Sequence, residues 1–139
     1  MGLLARREHG RVELRSKLVA KGVDADTAAA VVEKLRSEGL QSEERFASAL
    51  IRRRIARGYG PVYIRGELSE RRVDDDVADA ELNRTDAFWQ QLAADALERK
   101  FPAGRGREAP YNVRARFLAR RGFPADIVYR ALRSGLEYA

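Results

Sequence analysis

The fold is decided by a helix-to-helix turn, Leu18-Val19-Ala20-Lys21-Gly22-Val23-Asp24, which returns twice at intervals of 50 residues. The later versions are Leu68-Ser69-Glu70-Arg71-Arg72-Val73-Asp74 and Leu118-Ala119-Arg120-Arg121-Gly122-Phe123-Pro124. Beyond each turn the same register continues with an acid and then an apolar residue: Asp26, Asp76 and Asp126, followed by Val32, Leu82 and Leu132. Two equal intervals with chemically matched residues predict three copies of one unit.

The residues of these turns suit the end of one helix and the start of the next. Gly22 and Gly122 fall where a helix end favours a residue that tolerates positive φ. The cations just before them are stabilised by the negative end of the helix dipole. The residues that follow, Asp24, Asp74 and Pro124, are favourable at a helix start. Arg72 takes the glycine position in the second copy, which puts the geometry of that turn in question.

A further helix is predicted ahead of the second and third turns. One runs from 42 to 57 with Ser42 as its N-cap, and the other from 86 to 101, where Pro102 stops it. We therefore predict an all-α protein of three tandem three-helix repeats, forming an elongated, curved, solenoid-like array. The predicted repeats are 1–40, with a short or truncated opening helix, then 41–83, then 84–139 with a linker-like segment at 102–110.

The composition argues against catalysis. The 139 residues include no Cys and one His, so a disulfide framework, a Cys-based zinc site and a thiol nucleophile are excluded. We interpret His9 as a packing or helix-end residue, and the acids Asp74–Asp76 and Asp79 as helix-start acids rather than a cation site. We expect no enzymatic activity, cofactor or metal. With no apolar run of roughly 20 residues, we expect a cytoplasmic protein without a membrane segment.

Arginine dominates the candidate binding residues. The chain has 27 Lys+Arg and 21 Asp+Glu, a net charge of +6, and residues 83–139 hold 11 basic and 6 acidic residues, a net of +5. Tyr, Trp and Arg are enriched at interface hot spots. We expect Tyr59 to be exposed in its glycine-rich turn and Trp89 to pack in the core. A solvated face with Arg–Glu pairs is the alternative for any single Arg. The predicted partner-binding residues are Arg52, Arg53, Arg57, Tyr59, Tyr63, Arg65, Arg114, Arg116, Arg120 and Arg121.

Four blocks of the sequence, in order, resemble the RecX family of regulatory proteins. They span nearly the whole chain, which departs from the family pattern at Gly10, usually Ser, and at Arg72, usually Gly. The blocks are Arg7-Glu8-His9 with Glu13-Leu14, Lys17-Leu18 and Lys21-Gly22; Gly39-Leu40 with Glu44-Arg45-Phe46-Ala47; Arg54 with Gly58-Tyr59-Gly60-Pro61, Ile64 and Leu68; and Leu118-Ala119-Arg120-Arg121-Gly122-Phe123.

This resemblance implies a bacterial regulator that binds along the groove of a RecA filament on single-stranded DNA. It further implies modulation, in particular inhibition, of the ATPase, strand-exchange and coprotease activities of RecA. We expect a monomer that contacts DNA only secondarily, through its basic C-terminal end. Two alternatives stay open: a basic helical DNA-binding module and an adaptor for another protein. Against the first, the acidic start of the helix after each turn would repel phosphate.

Overall fold

The computed structural model describes residues 7–102 and 109–137, with side chains up to Arg133 in the last helix. Those residues form eight helices and no strand, so the all-α prediction is confirmed. The helices are α1 Arg11–Ala20, α2 Ala25–Ser37, α3 Glu43–Ala56, α4 Pro61–Glu70, α5 Asp75–Leu82, α6 Asp86–Lys100, α7 Tyr111–Arg120 and α8 Ala125–Glu137.

The three predicted turns share one hydrogen-bonding pattern. The amides of Val23, Val73 and Phe123 donate to the carbonyls of Leu18, Leu68 and Leu118, at 3.1, 3.0 and 3.2 Å. The residue before each amide also bonds to the carbonyl three positions back, at 3.0 Å in all three turns. This pair of bonds defines the Schellman helix end, which satisfies carbonyls that the helix leaves open.

Arg72 adopts the left-handed conformation of its glycine counterparts. Its φ is +59°, against +99° for Gly22 and +90° for Gly122, and it is the only non-glycine residue with positive φ in the described ranges. The second turn therefore has the geometry of the other two, although a side chain in this conformation costs roughly 1–2 kcal/mol.

Several helix starts carry the caps that their sequences favour. Asp24 accepts a hydrogen bond from the amide of Thr27 at 3.4 Å, and Ser42 accepts one from the amide of Arg45 at 3.2 Å. The start of α6 has a cap that we did not predict, Thr85, which accepts from the amide of Phe88 at 3.1 Å. These bonds satisfy amides in the first turn of each helix.

The chain divides into two compact units, each built from two segments. The first unit comprises Met1–Ile51 and Glu67–Glu81, and the second comprises Arg52–Gly66 and Leu82–Ala139. The boundaries between the units fall inside α3 and α4, so the compact units do not coincide with the predicted sequence repeats. The boundaries of the repeats stay a prediction.

Each unit buries its own set of apolar side chains. In the first unit α1 packs against α2, and in the second α6, α7 and α8 all pack against one another. Buried residues of the first unit are Leu14, Ala28, Val32, Phe46, Ala47, Leu50, Ile51, Leu68, Val73 and Ala78. Those of the second are Ile64, Trp89, Ala93, Ala96, Phe117, Leu118, Phe123, Ile127, Val128, Ala131 and Leu132.

Candidate partner-binding surface

All ten predicted partner-binding residues lie in the second unit. Six come from the segment Arg52–Gly66 and four from Leu82–Ala139, which are far apart in sequence and join in one compact unit. Counted over its full sequence, this unit has sixteen basic and six acidic residues, a net charge of +10. The first unit has eleven basic and fifteen acidic residues, a net of −4. The positive field is therefore stronger and more local than the sequence count indicated.

Arg121 connects the two segments of the second unit. It follows α7, and its Nη1 donates to the backbone carbonyl oxygen of Arg57 at 2.7 Å. Its guanidinium carbon lies 4.7 Å from the centre of the Tyr59 ring and 5.2 Å from that of Phe117. These contacts hold the long side chain in one position, so less conformational entropy remains to be lost on binding.

Tyr59 and Tyr63 form a stacked pair. Their ring centres lie 4.3 Å apart with an angle of 24° between the planes. We expected Tyr59 to be accessible in its glycine-rich turn, but Arg121 and Tyr63 both cover it, and it is only partly exposed. Tyr63 is 40 % exposed and is the member of the pair that is available to a partner.

Four cations surround one cleft in the second unit. The cleft has a volume of about 220 Å³ and is lined by Arg57, Arg99, Lys100 and Arg121, together with Ala96 and Phe117. No acidic side chain of the described residues lines it. We predicted Arg57 and Arg121 as binding residues but missed Arg99 and Lys100, because cations in the last turn of a helix are expected from the dipole alone.

Gly58 brings the turn after α3 close to this cleft. Its φ is +80°, and a Cβ built on it would lie 3.3 Å from a guanidinium nitrogen of Arg99 and 3.4 Å from the Cβ of Ala96. The backbone of the turn thus lies directly against α6, where only a glycine combines this φ with this spacing without strain.

The other predicted residues are spread over the second unit. Arg52, Arg53, Arg116 and Arg120 are exposed, while Arg65 and Arg114 are partly buried. Nε of Arg114 donates to the carbonyl of Ala109 at 3.2 Å, which ties it to the start of α7. Arg52, Arg53 and Arg65 each have an interaction partner within the chain. Arg105 and Arg107, two of the eleven basic residues counted in 83–139, lie outside the described residues.

His9 lies in a buried polar cluster of the first unit. It is 2 % exposed, its Nδ1 lies 3.1 Å from the carbonyl of Arg7, and its Nε2 lies 3.0 Å from Nζ of Lys17. Since Lys17 can only donate, Nε2 accepts and Nδ1 donates. Both ring nitrogens are thus used in internal hydrogen bonds, as expected of a packing histidine.

Glu13 joins α1 to the residues before it and to the end of α4. Its carboxylate bonds to Arg7 at 2.5 and 3.1 Å and lies 3.9 Å from the guanidinium of Arg71. Burial acts to raise the pKa of Glu13, but the hydrogen bonds and charge of Arg7, with lesser contributions from His9 and the amide of Gly10, hold it below its ordinary value. This carboxylate is therefore a structural anchor.

Of the four predicted helix-start acids, two lie in the first turn of the helix. Asp75 and Asp76 lie in the first turn of α5, and Asp74 accepts from Nη2 of Arg11 at 3.2 Å. Across residues 7–102 and 109–137, no group of His, Asp and Glu could hold a metal ion. No helix in the same ranges is both long and apolar enough to cross a bilayer.

Comparison with known proteins identifies the family. Residues 1–35 match the model of the first three-helix domain of RecX, and residues 42–82 match that of the second. The regulatory protein RecX of Xanthomonas axonopodis pv. citri (strain 306) is 41 % identical over 138 residues, covering 99 % of this chain and 85 % of that protein. Its counterpart in Stenotrophomonas maltophilia (strain R551-3) is 40 % identical over 138 residues, covering 96 % and 82 %.

Solved structures agree on the fold. The crystal structure of RecX from Lactobacillus salivarius superposes with a TM-score of 0.77 at 22 % identity, covering 96 % of this chain and 89 % of that one. A second crystal structure of regulatory protein RecX gives a TM-score of 0.80 at 22 % identity, covering 96 % and 67 %. Together with the domain matches and the sequence identities, they show that this chain belongs to the RecX family of regulatory proteins.

Proposed function

We propose that this protein binds the RecA filament on single-stranded DNA and inhibits its ATPase, strand-exchange and coprotease activities. The observation that carries the proposal is membership of the RecX family, at 41 % identity over 99 % of the chain. The protein acts as a non-enzymatic cytoplasmic regulator and works as a monomer. Its partner is RecA, and DNA is a secondary contact.

The charge distribution supports binding to a filament of protein and DNA. The second unit carries +10 and the first −4. A filament presents a phosphate backbone as well as protein surfaces of both signs, and complementary potentials of this kind increase association rates and fix orientation. We assign the ten candidate residues of the second unit to this interface, with Arg121 and Tyr63 at its centre.

The mechanism follows from binding rather than from chemistry. A helical protein seated in the filament groove bridges neighbouring RecA protomers and hinders their relative movement, or their disassembly and regrowth. We infer that bridging lowers ATP turnover by restricting this movement, without any group of this chain touching ATP. Inhibition therefore rises with occupancy of the groove and needs no catalytic residue.

The decisive experiment is a titration into RecA assembled on single-stranded DNA, following ATP turnover and strand exchange. We expect both to fall with increasing protein. A control titration against a DNA-independent ATPase distinguishes specific inhibition from removal of nucleotide. Unchanged RecA turnover and strand exchange at saturating protein would refute the proposal.

The second candidate function is that of a basic helical DNA-binding module, and the positive charge of the second unit favours it. If it were correct, the protein would bind duplex DNA with clear sequence preference and a steep salt dependence in the absence of RecA. The acids in the first turns of α2, α5 and α8 argue against docking of these helices in a DNA groove.

An adaptor for another protein is the remaining alternative. It would be recognised by capture of a partner other than RecA.

A further inference from the structure

Four cations surround the cleft of the second unit, and none of the described residues that line this cleft is acidic. Arg57, Arg99 and Lys100 are exposed and Arg121 is partly buried, and they converge on one volume of about 220 Å³. The three acids of α6, Asp86, Asp95 and Glu98, are not among the described residues that line it. Like charges held together repel one another, so an anion in the cleft would relieve this repulsion.

The chemistry of the cleft fits a phosphate group. Three of the four cations are guanidinium groups, whose planar donors match phosphate oxygens in pairs, and Lys100 adds a point charge. The volume is smaller than the roughly 300–1,000 Å³ of pockets that enclose drug-sized ligands. The cleft therefore accommodates the charged group of a larger molecule rather than an entire nucleotide.

The cleft is also organised in advance. Arg121 is fixed by the carbonyl of Arg57 and by the rings of Tyr59 and Phe117, and the Gly58 turn lies against Arg99. Tyr63 supplies an exposed aromatic ring stacked on Tyr59, the ring that Arg121 contacts. Cationic residues with an accessible aromatic ring are the usual components of sites for single-stranded nucleic acid.

We propose that the cleft formed by Arg57, Arg99, Lys100 and Arg121 binds a phosphate group, supplied by the backbone of single-stranded DNA. Free nucleotides carry the same group and are the other source to be distinguished. The inference rests on the proposed function, in which DNA is a secondary contact, and deepens it by naming the group of DNA that is bound and the residues that bind it.

The test uses the full chain without RecA. A fluorescent single-stranded oligothymidylate is titrated with wild-type protein, Arg99→Gln and Lys100→Gln across a range of salt. Neither residue has a described internal hydrogen bond or ion pair, so both variants should fold, which circular dichroism and thermal unfolding verify. The matched control is Arg130→Gln, which removes the same charge from an exposed residue of the same unit outside the cleft.

We expect each cleft variant to weaken oligonucleotide binding on the order of tenfold. The slope of log affinity against log salt concentration should fall by about one, the value for one lost phosphate contact. Arg130→Gln should change affinity by less than about twofold. Arg121→Lys keeps the charge but loses the planar donors, and should also weaken binding. Equal losses in the control and the cleft variants, or no oligonucleotide binding at all, would overturn the assignment to DNA.

Competition by ADP and by inorganic phosphate distinguishes the two sources. If oligonucleotide binding is unaffected by the cleft variants while ADP binding is lost in them, the phosphate pocket stands and its ligand is a nucleotide. If neither ligand responds to the cleft variants, the pocket is refuted. These outcomes are independent of RecA turnover, so a failure here and a failure of the proposed regulation are separate results.

Discussion

Gly60 and Gly122 meet backbone to backbone in the second unit. The amide of Gly60 donates to the carbonyl of Arg121 at 2.7 Å, and the amide of Val62 donates to the carbonyl of Gly122 at 2.9 Å. The open amides at the start of α4 are thus satisfied by open carbonyls after the end of α7. A Cβ on Gly60 would lie 2.5 Å from the Gly122 carbonyl oxygen, and one on Gly122 would overlap Tyr63.

This contact predicts that neither glycine accepts a side chain. We expect Gly60→Ala and Gly122→Ala each to lower the free energy of unfolding by about 1–3 kcal/mol, because the backbones must separate. At Gly122 the φ of +90° adds to the cost. Gly66→Ala is the control, since nothing lies within 4 Å of its Cβ position in α4, and it should stabilise by up to about 1 kcal/mol. Urea denaturation measures all three, and equal stabilities would contradict the close approach.

The positive φ of Arg72 predicts that a glycine at this position stabilises the protein. Replacing it with glycine removes the strain of a side chain at φ +59° but makes the unfolded chain more flexible, so we expect a net gain of up to about 1 kcal/mol. The reciprocal variant Gly22→Arg places a side chain at φ +99° and should cost about 1 kcal/mol or more. Thermal unfolding compares the two variants, and a loss of stability in Arg72→Gly would show that its side chain contributes more than the strain costs.

Leu68 tests the core of the first unit. It is 0 % exposed, so Leu68→Ala should lower the free energy of unfolding by about 2–5 kcal/mol through lost contacts and a residual cavity. Val62→Ala, at a residue that is 59 % exposed, should change it by no more than about 0.5 kcal/mol. Chemical denaturation distinguishes them, and a near-zero effect at Leu68 would remove it from the core.

The lowered pKa of Glu13 predicts that the folded protein loses stability in acid. Because its pKa in the folded protein lies below the ordinary value of about 4.3, its stabilisation is complete above that value and is lost as the pH falls through the lower folded pKa. We expect Glu13→Gln to be less stable near pH 6 and to lose less stability between about pH 5 and pH 2. The exposed Glu33→Gln, paired with Arg36 at 3.7 Å, should follow the wild type. Parallel stability curves for Glu13→Gln and wild type would refute this assignment.

Charge reversal at Arg120 and Arg121 tests the proposed interface. The double variant Arg120→Glu/Arg121→Glu should weaken binding to the RecA–DNA filament by at least tenfold, because two cations of the basic unit become anions. Arg120→Glu alone alters an exposed residue and should leave thermal stability unchanged. Filament co-sedimentation measures binding. If binding persists while the double variant loses stability, both residues serve only to end the helix and pack the turn.

Much of the fold could be predicted because its signals are local. A Schellman turn needs only a few neighbouring residues, so Leu118 through Phe123 indicate a helix end without knowledge of the rest of the chain. The same holds for Ser42, whose hydroxyl caps an amide three positions away. The sequence left the geometry at Arg72 in question, because an arginine disfavours positive φ, and the structure shows that Arg72 adopts the conformation of Gly22 and Gly122 all the same.

The candidate site could be predicted only in part. The clusters of arginine could be recognised in the sequence. Arg99 and Lys100 were not predicted as binding residues, because the helix dipole alone explains cations at the end of a helix. What distinguishes them is their position beside Arg57 and Arg121 around one cleft, which no sequence spacing contains. Tyr59 shows the converse, since its place in a glycine-rich turn indicated exposure while Arg121, 62 positions later in the sequence, covers its ring.

The helices, their end signals and the family can be inferred from the sequence, because caps, helix ends and apolar periodicity act over a few residues. The union of Arg52–Gly66 with Leu82–Ala139 in one unit of net charge +10 emerges only when the chain is folded. Electrostatic potential depends on distance in space. The Gly60–Gly122 contact brings two arginine-rich segments together, and a count along the chain cannot register that approach.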